Sequence, residues 1–223
     1  MGFWKEAIEG ILIGLLIVGV AIILCVMKGQ YVNDYPKENI KLDTKNLQTG
    51  DLLSVSYQNH LGVFISFWSS SVWSHPGMIY RRSDDEIFVI EGCRYKEKKW
   101  RGVIVMPITK WIELNRKHIV SLTKYQGPKI YNDQMERALG MLSHFKLQNF
   151  EVGWLRFIQD KKLYHSPKGQ NKVCYEIMTI LMQELGIVKK LYTYYSYWPG
   201  DIAWGNLDFE VGYGYLKPKL VLF

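Results

Sequence analysis

Cysteine is scarce: Cys25, Cys93 and Cys174 are the only three in 223 residues, too few and too widely spaced for a disulfide framework or a four-ligand zinc site. A reducing setting is therefore expected. No Asn-x-Ser/Thr acceptor occurs, which fits a non-secretory chain. A Gly-rich phosphate loop, a zinc-finger spacing and an aromatic RNA-binding signature are also missing. His60, His118 and His144 have no partner at metal-ligand spacing and read as surface or capping residues. No metal or other cofactor is expected. There is no internal repeat and no low-complexity tract.

What is present is aromatic and basic. Aromatic residues make up 14% of the chain, with 15 Tyr and 8 Trp, which suits packed β-structure or a surface built from large amphipathic rings. Lys and Arg outnumber Asp and Glu by 28 to 21, a balance that favours contact with something anionic, such as lipid head groups. The basic residues are scattered in short runs such as "KEKKWR" (96–101), the pattern of solvated faces. Nucleic acid is not expected as a partner. At 48% hydrophobic and 22% charged the chain has ordinary globular usage, enough for one sizeable domain plus an appendage.

The appendage is N-terminal. Residues 11–27, "ILIGLLIVGVAIILCVM", carry no charge, and Gly10 extends the run to 18 residues. As a helix this covers roughly 27 Å, the hydrocarbon thickness of a thin bilayer. Trp4 and Tyr31 bracket it as interfacial rings and Lys5 and Lys28 mark its ends. "CVMKGQ" offers no A-x-A cleavage site, Leu24 stands where a lipoprotein wants a small residue, and Glu6 stands where N-myristoylation prefers Ser or Thr. A single-pass, uncleaved anchor over residues 1–28 is expected, with the globular part on the cytoplasmic side because Lys28, Lys37, Lys41 and Lys45 follow the span. Residues 29–46 read as a polar linker, and the domain is expected to fill 47–223.

Within the domain, "TGDLLSVSYQ" (49–58) reads as a turn and strand. "GMIYRR" (77–82), "EIFVIEGC" (86–93) and "GVIVMPI" (102–108) read as an antiparallel meander, and "HIVSLTKY" (118–125) as a further strand. Residues 61–73 fit a strand, a short helix or a buried loop equally. Met135, Leu139, Leu142 and Phe145 give 132–146 a helical stripe capped by Asn132 or Asp133. A polar loop fills 159–172. Residues 171–186 are the clearest helix, with Asn171 as N-cap, an apolar face of Val173, Cys174, Ile177, Met178, Leu181 and Leu185, and Gly186 as the stop. "PGD" (199–201) reads as a turn before a strand, and "GYLKPKLVLF" as a sheet edge. Strands in one block with helices beside them imply an α+β class.

Three residues carry the chemistry. Cys174 opens a helix, where free backbone N–H groups and the helix dipole favour a thiolate. His75, in "SHPGMIY", sits at the start of a strand and leaves its ring at the sheet's end as a base. Glu91 ends the strand "FVIEG"; if the two strands form a hairpin, it returns beside His75 and can orient the ring. The alternative reading of each is structural: a packed thiol, a turn histidine, a solvated carboxylate. His165, nine residues before Cys174, is the rival base. Cys93 reads as packing near Glu91.

The order "GDLL", "HPGMIY", "VIEG", "VCYEIMTILMQ" and "PGD" resembles the circularly permuted papain-like hydrolases, in the NlpC-type branch that includes YiiX-like proteins, lecithin:retinol acyltransferase relatives and members encoded by large DNA viruses. The resemblance covers roughly residues 47–205. It implies a permuted papain-like domain, an antiparallel sheet or barrel packed on helices, with Cys174 as nucleophile, His75 as general base and acid, and Glu91 orienting the imidazole. It also implies a cysteine hydrolase or acyltransferase acting on an amide or ester of a peptide or lipid. The backbone N–H of Cys174 would supply one oxyanion donor, with Tyr57 or Gln58 near the second. Two departures stand out: Pro76 follows the histidine where the family has a small or β-branched residue, so the strand is expected to enter its sheet one residue late, and bulky Tyr175 replaces a serine. The alternative function is a structural component of a membrane-containing assembly, such as a virion, with neighbouring proteins as partners.

Overall fold

The computed structural model describes residues 35–59, 71–94, 101–144, 146–147, 171–172, 174–189, 199–205 and 207–223, with the single positions 14, 19, 62 and 66. The expected anchor over 11–27 apart from Gly14 and Gly19, most of 61–73, the loop 159–172 up to Gln170, and His60 and His165 lie outside this set. Among the described residues no helix is long and apolar enough to cross a membrane.

A seven-stranded sheet organises the chain. Its strands are β1 (Asn39–Lys41), β2 (Leu52–Ser56), β3 (His75–Arg81), β4 (Ile87–Arg94), β5 (Arg101–Pro107), β6 (Ile119–Thr123) and β11 (Lys219–Leu222). Their spatial order is β1-β11-β6-β2-β3-β4-β5, antiparallel except for the β1–β11 pair. Short pairs join β7 (Tyr125–Gln126) to β10 (Gly214–Tyr215) and β8 (Lys146–Leu147) to β9 (Asn171–Lys172). The described helices are α1 (Ile108–Asn115), α2 (Asn132–Leu142), α3 (Cys174–Glu184) and α4 (Pro199–Trp204). The mixed α and β class expected from the sequence is what the chain adopts.

The expected meander is β3, β4 and β5, and its register fixes the two faces. Met78 lies opposite Ile90 and Tyr80 opposite Phe88, while Ile79 lies opposite Val89 and Gly77 opposite Glu91. Because side chains alternate along a strand, Leu52, Met78, Tyr80 and Ile90 face α2 and α3 in one core. Leu53, Val55, Ile79 and Val89 face Trp111 of α1 in the other. Each fully buried aliphatic or aromatic side chain contributes about 1.5–3 kcal/mol relative to exposure, so neither face of this sheet can be left uncovered.

Several local expectations are corrected. The sheet reaches into the segment expected as linker, since β1 occupies 39–41 and pairs with β11; β11 is thereby an inner strand, not the edge. β3 begins at His75 itself. Pro76 does not delay it, because pairing with β4 starts only at Gly77, where the missing proline N–H no longer matters. Asn171 belongs to β9 and is not the cap of α3. That helix is buried around nearly its whole circumference from Tyr175 to Gln183, rather than along one stripe. It does end as expected: Gly186 has φ +67°, and Ile187 N–H reaches Met182 C=O at 2.8 Å, the Schellman closure. α2 is capped at Tyr131, whose N–H donates to Gln134 Oε1 at 2.8 Å. "PGD" opens the short helix α4 and not a turn into a strand.

Candidate functional site

His75 is the first residue of β3 and shares the α1-facing side of the sheet with Glu91, diagonally across the β3–β4 ladder. Gly77 lies directly opposite Glu91 and carries no side chain between the two. His75 Nε2 meets Glu91 Oε2 at 3.0 Å, with both residues buried. The same carboxylate oxygen accepts a second hydrogen bond, from Trp111 Nε1 at 3.1 Å. The hairpin geometry expected from the sequence thus brings Glu91 to His75.

Cys174 is the first residue of α3. It is a free thiol, partly buried, and packs against the core on the opposite face from Glu91. Its side chain comes near enough to His75 to act on the charge of the ring. The imidazole therefore stands at the end of the sheet with Glu91 on one side and the head of α3 on the other. Burial disfavours its charge, but the Glu91 carboxylate, its hydrogen bond to the ring and the nearby Cys174 side chain outweigh this and raise the His75 pKa to about 10. At neutral pH the group is an imidazolium, held against the Glu91 carboxylate at the end of the sheet with the head of α3 beside it.

A shell from α1 and the end of β2 surrounds the pair. Tyr57 packs its ring 5.7 Å from the His75 ring and 4.8 Å, edge-on, from His118. Its hydroxyl donates to Asn115 Oδ1 at 3.1 Å, and Asn115 Nδ2 donates to Trp111 C=O at 3.0 Å. Burial and Lys117 lower the His118 pKa. The Tyr57 backbone N–H is given to Ser74 Oγ at 3.0 Å; Gln58 is exposed, with its amide on Ser56 Oγ at 3.1 Å. His144 is exposed, as a surface residue. The Cys93 side chain and His165 lie outside the described residues.

Trp111 and Asn115 were missed by sequence reasoning because α1 itself was. Its signal was present: Pro107 closes β5, and Ile108, Trp111 and Asn115 are the buried positions of the helix, spaced three and seven apart as one helical face requires. Among the described residues no group of three or more His, Cys, Asp or Glu side chains is placed to hold a metal ion.

No family model matches the chain, and no curated protein does. Among solved structures it is similar to the crystal structure of the metalloprotein YiiX from Escherichia coli O157:H7, with 17% identity and a TM-score of 0.44 over 62% of this chain. The chain spans 66% of that protein's length.

Proposed function

We propose that the chain is a cysteine hydrolase or acyltransferase that cleaves an amide or ester bond of a peptide or lipid through an acyl-cysteine, held at a membrane by residues 11–27. The observation that carries this reading is the buried His75–Glu91 pair, with Cys174, the first residue of α3, close enough to act on the charge of the same imidazole. The chain order His75, Glu91, Cys174, strands before helix, is that of a permuted papain-like domain.

With Nε2 committed to Glu91, Nδ1 is the nitrogen that takes the thiol proton. The thiolate forms a bond to the carbonyl carbon while the carbonyl electron pair moves to oxygen, facing the backbone N–H of Cys174 at the helix start. Collapse of that intermediate breaks the bond to the amine or alkoxide, which leaves with the proton from Nδ1. Water or an acceptor hydroxyl then attacks the thioester, gives its proton to Nδ1, and releases the thiolate.

The test is labelling of the full-length chain with an electrophilic acyl probe. Selective modification of Cys174 that disappears in His75→Ala is expected. Modification indifferent to His75, or an inert Cys174, overturns the enzyme and leaves a structural role. The tether is read separately: the full chain stays with membranes after carbonate extraction, and a chain lacking residues 1–28 is released.

A further inference from the structure

We propose that the corner of the sheet formed by β1, β11 and the start of β6 is a docking surface for an anionic lipid bilayer. Three exposed apolar side chains meet there: Ile119, Leu222 and Phe223. Val120, Val221 and Ile40 pack into the core against α1, so Ile119, Leu222 and Lys41 share the other face by alternation. Lys41 lies opposite Leu222. Leu220 lies opposite Ser121, which brings Leu222, two residues on, level with Ile119. The turn that leads into Ile119 carries exposed Arg116 and Lys117. The carboxylates nearest in the chain are engaged elsewhere: Glu38 pairs with Lys219, Glu113 with Lys110, and Asp43 accepts from the Lys45 N–H and Asn46 Nδ2. The corner is apolar at its centre and basic at its rim.

That combination fits the bilayer interface, where apolar side chains enter the acyl boundary while Lys and Arg stay at the head groups. A polyanion such as nucleic acid would use the cations but leave the apolar side chains in water. A second copy docked face to face would set like charges against each other. The path of the chain favours the bilayer, because Asn39 opens β1 twelve residues after Met27 ends the uncharged run. Fully extended, twelve residues span about 40 Å, so the β1 edge stays near any membrane that run enters. The β5 edge lies six inter-strand spacings away, about 29 Å. The surface rests on the tether proposed above for this choice of partner, and not on the catalytic chemistry. Val55 lies opposite both Val120 and His75, so docking turns the His75 end of the sheet, and not the Arg81 end, towards the bilayer.

The test places the photo-crosslinking side chain p-benzoylphenylalanine at Leu222 or at Ile119 of the full-length chain, with Val105, exposed on the opposite edge strand β5, as the control position. Each chain is reconstituted in vesicles of equal parts phosphatidylserine and phosphatidylcholine, and in phosphatidylcholine alone. The expected result is lipid adducts at the Leu222 and Ile119 positions in the anionic vesicles, well above the Val105 position. Arg116→Ala and Lys117→Ala should each cut the yield about fivefold, the share of one basic residue near an anionic surface. Equal adducts at all three positions, adducts indifferent to phosphatidylserine and to both substitutions, no lipid adducts, or protein–protein adducts in their place overturn the surface. Carbonate extraction reads the tether separately. A chain that is released yet forms the anionic adducts loses the tether and keeps the surface; a retained chain without adducts keeps the tether and loses the surface.

Discussion

Glu91→Gln removes the charge beside the imidazole and leaves the shape nearly unchanged. Glu91 and His75 are 3% and 7% exposed, so water cannot replace the lost carboxylate. Breaking a buried ion pair by neutralising one partner costs about 3–5 kcal/mol, which at 1.36 kcal/mol per pKa unit is a downward displacement of roughly 2–4 units for His75. The pKa near 10 should therefore fall to about 6–8, since burial, the largest influence on this group, then acts against Cys174 alone. The assay is the pH dependence of Cys174 alkylation, in which the imidazolium-dependent limb should move down by that amount. Stability gives a second reading. A histidine whose folded pKa lies above its unfolded value near 6.5 stabilises the fold fully below that pH, and the contribution is lost as pH rises through about 10. The natural chain should lose melting temperature between pH 6.5 and 10, and Glu91→Gln should show a shallower loss over that window. Identical alkylation limbs in the two proteins would refute the coupling.

Two further substitutions test how the site is held. A Cβ at Gly77 would lie 2.8 Å from Val89 Cγ1, inside the sheet where neither strand can yield, so Gly77→Ala should cost about 1–3 kcal/mol in urea unfolding, with part recovered by adding Val89→Ala. Asp51 accepts from the backbone N–H groups of Tyr125 at 3.0 Å and Gln48 at 2.9 Å and pairs with Lys124. Asp51→Ala leaves the buried Tyr125 N–H without its acceptor, while Lys124 keeps Asn46 C=O at 2.6 Å, and should cost roughly 1–3 kcal/mol, with Asp51→Asn intermediate; equal stability of the three proteins would show that the cluster ties nothing together.

The strands of the meander were legible because apolar runs bounded by turns survive in any context, and Glu91 was placed because a hairpin must return its end beside its beginning. The motif "GDLL" was visible but its meaning was not. Gly50 adopts φ +98° and Asp51 anchors the start of β2 to the chain at Tyr125, 74 residues away, a contact no local pattern announces. β1 was hidden for the same kind of reason: three residues with an exposed–intermediate–exposed burial pattern look like linker until β11 supplies a parallel partner from the far end of the sequence. The stop of α3 was legible in Gly186, a local requirement of backbone geometry, whereas its start was not, because Asn171 is claimed by Lys146 across the β8–β9 pair.

The site lies at the end of the sheet because the two halves of its chemistry are delivered to opposite faces. Alternation places Glu91 with Trp111 on the α1 side, and α3, which packs against β3 and β4 from the other side, can deliver Cys174 only where β3 begins. His75, being the first residue of that strand, is the one position whose ring can touch both. A histidine two residues later along β3 would keep its face and could still approach Glu91, but would have strand on either side of it and no passage to the helix. Chain order thus becomes geometry: the proposed reaction needs the imidazole to open its strand and the thiol to open its helix. Removing the imidazole, by His75→Ala, should therefore abolish activation of Cys174 even though Glu91 keeps the Trp111 N–H.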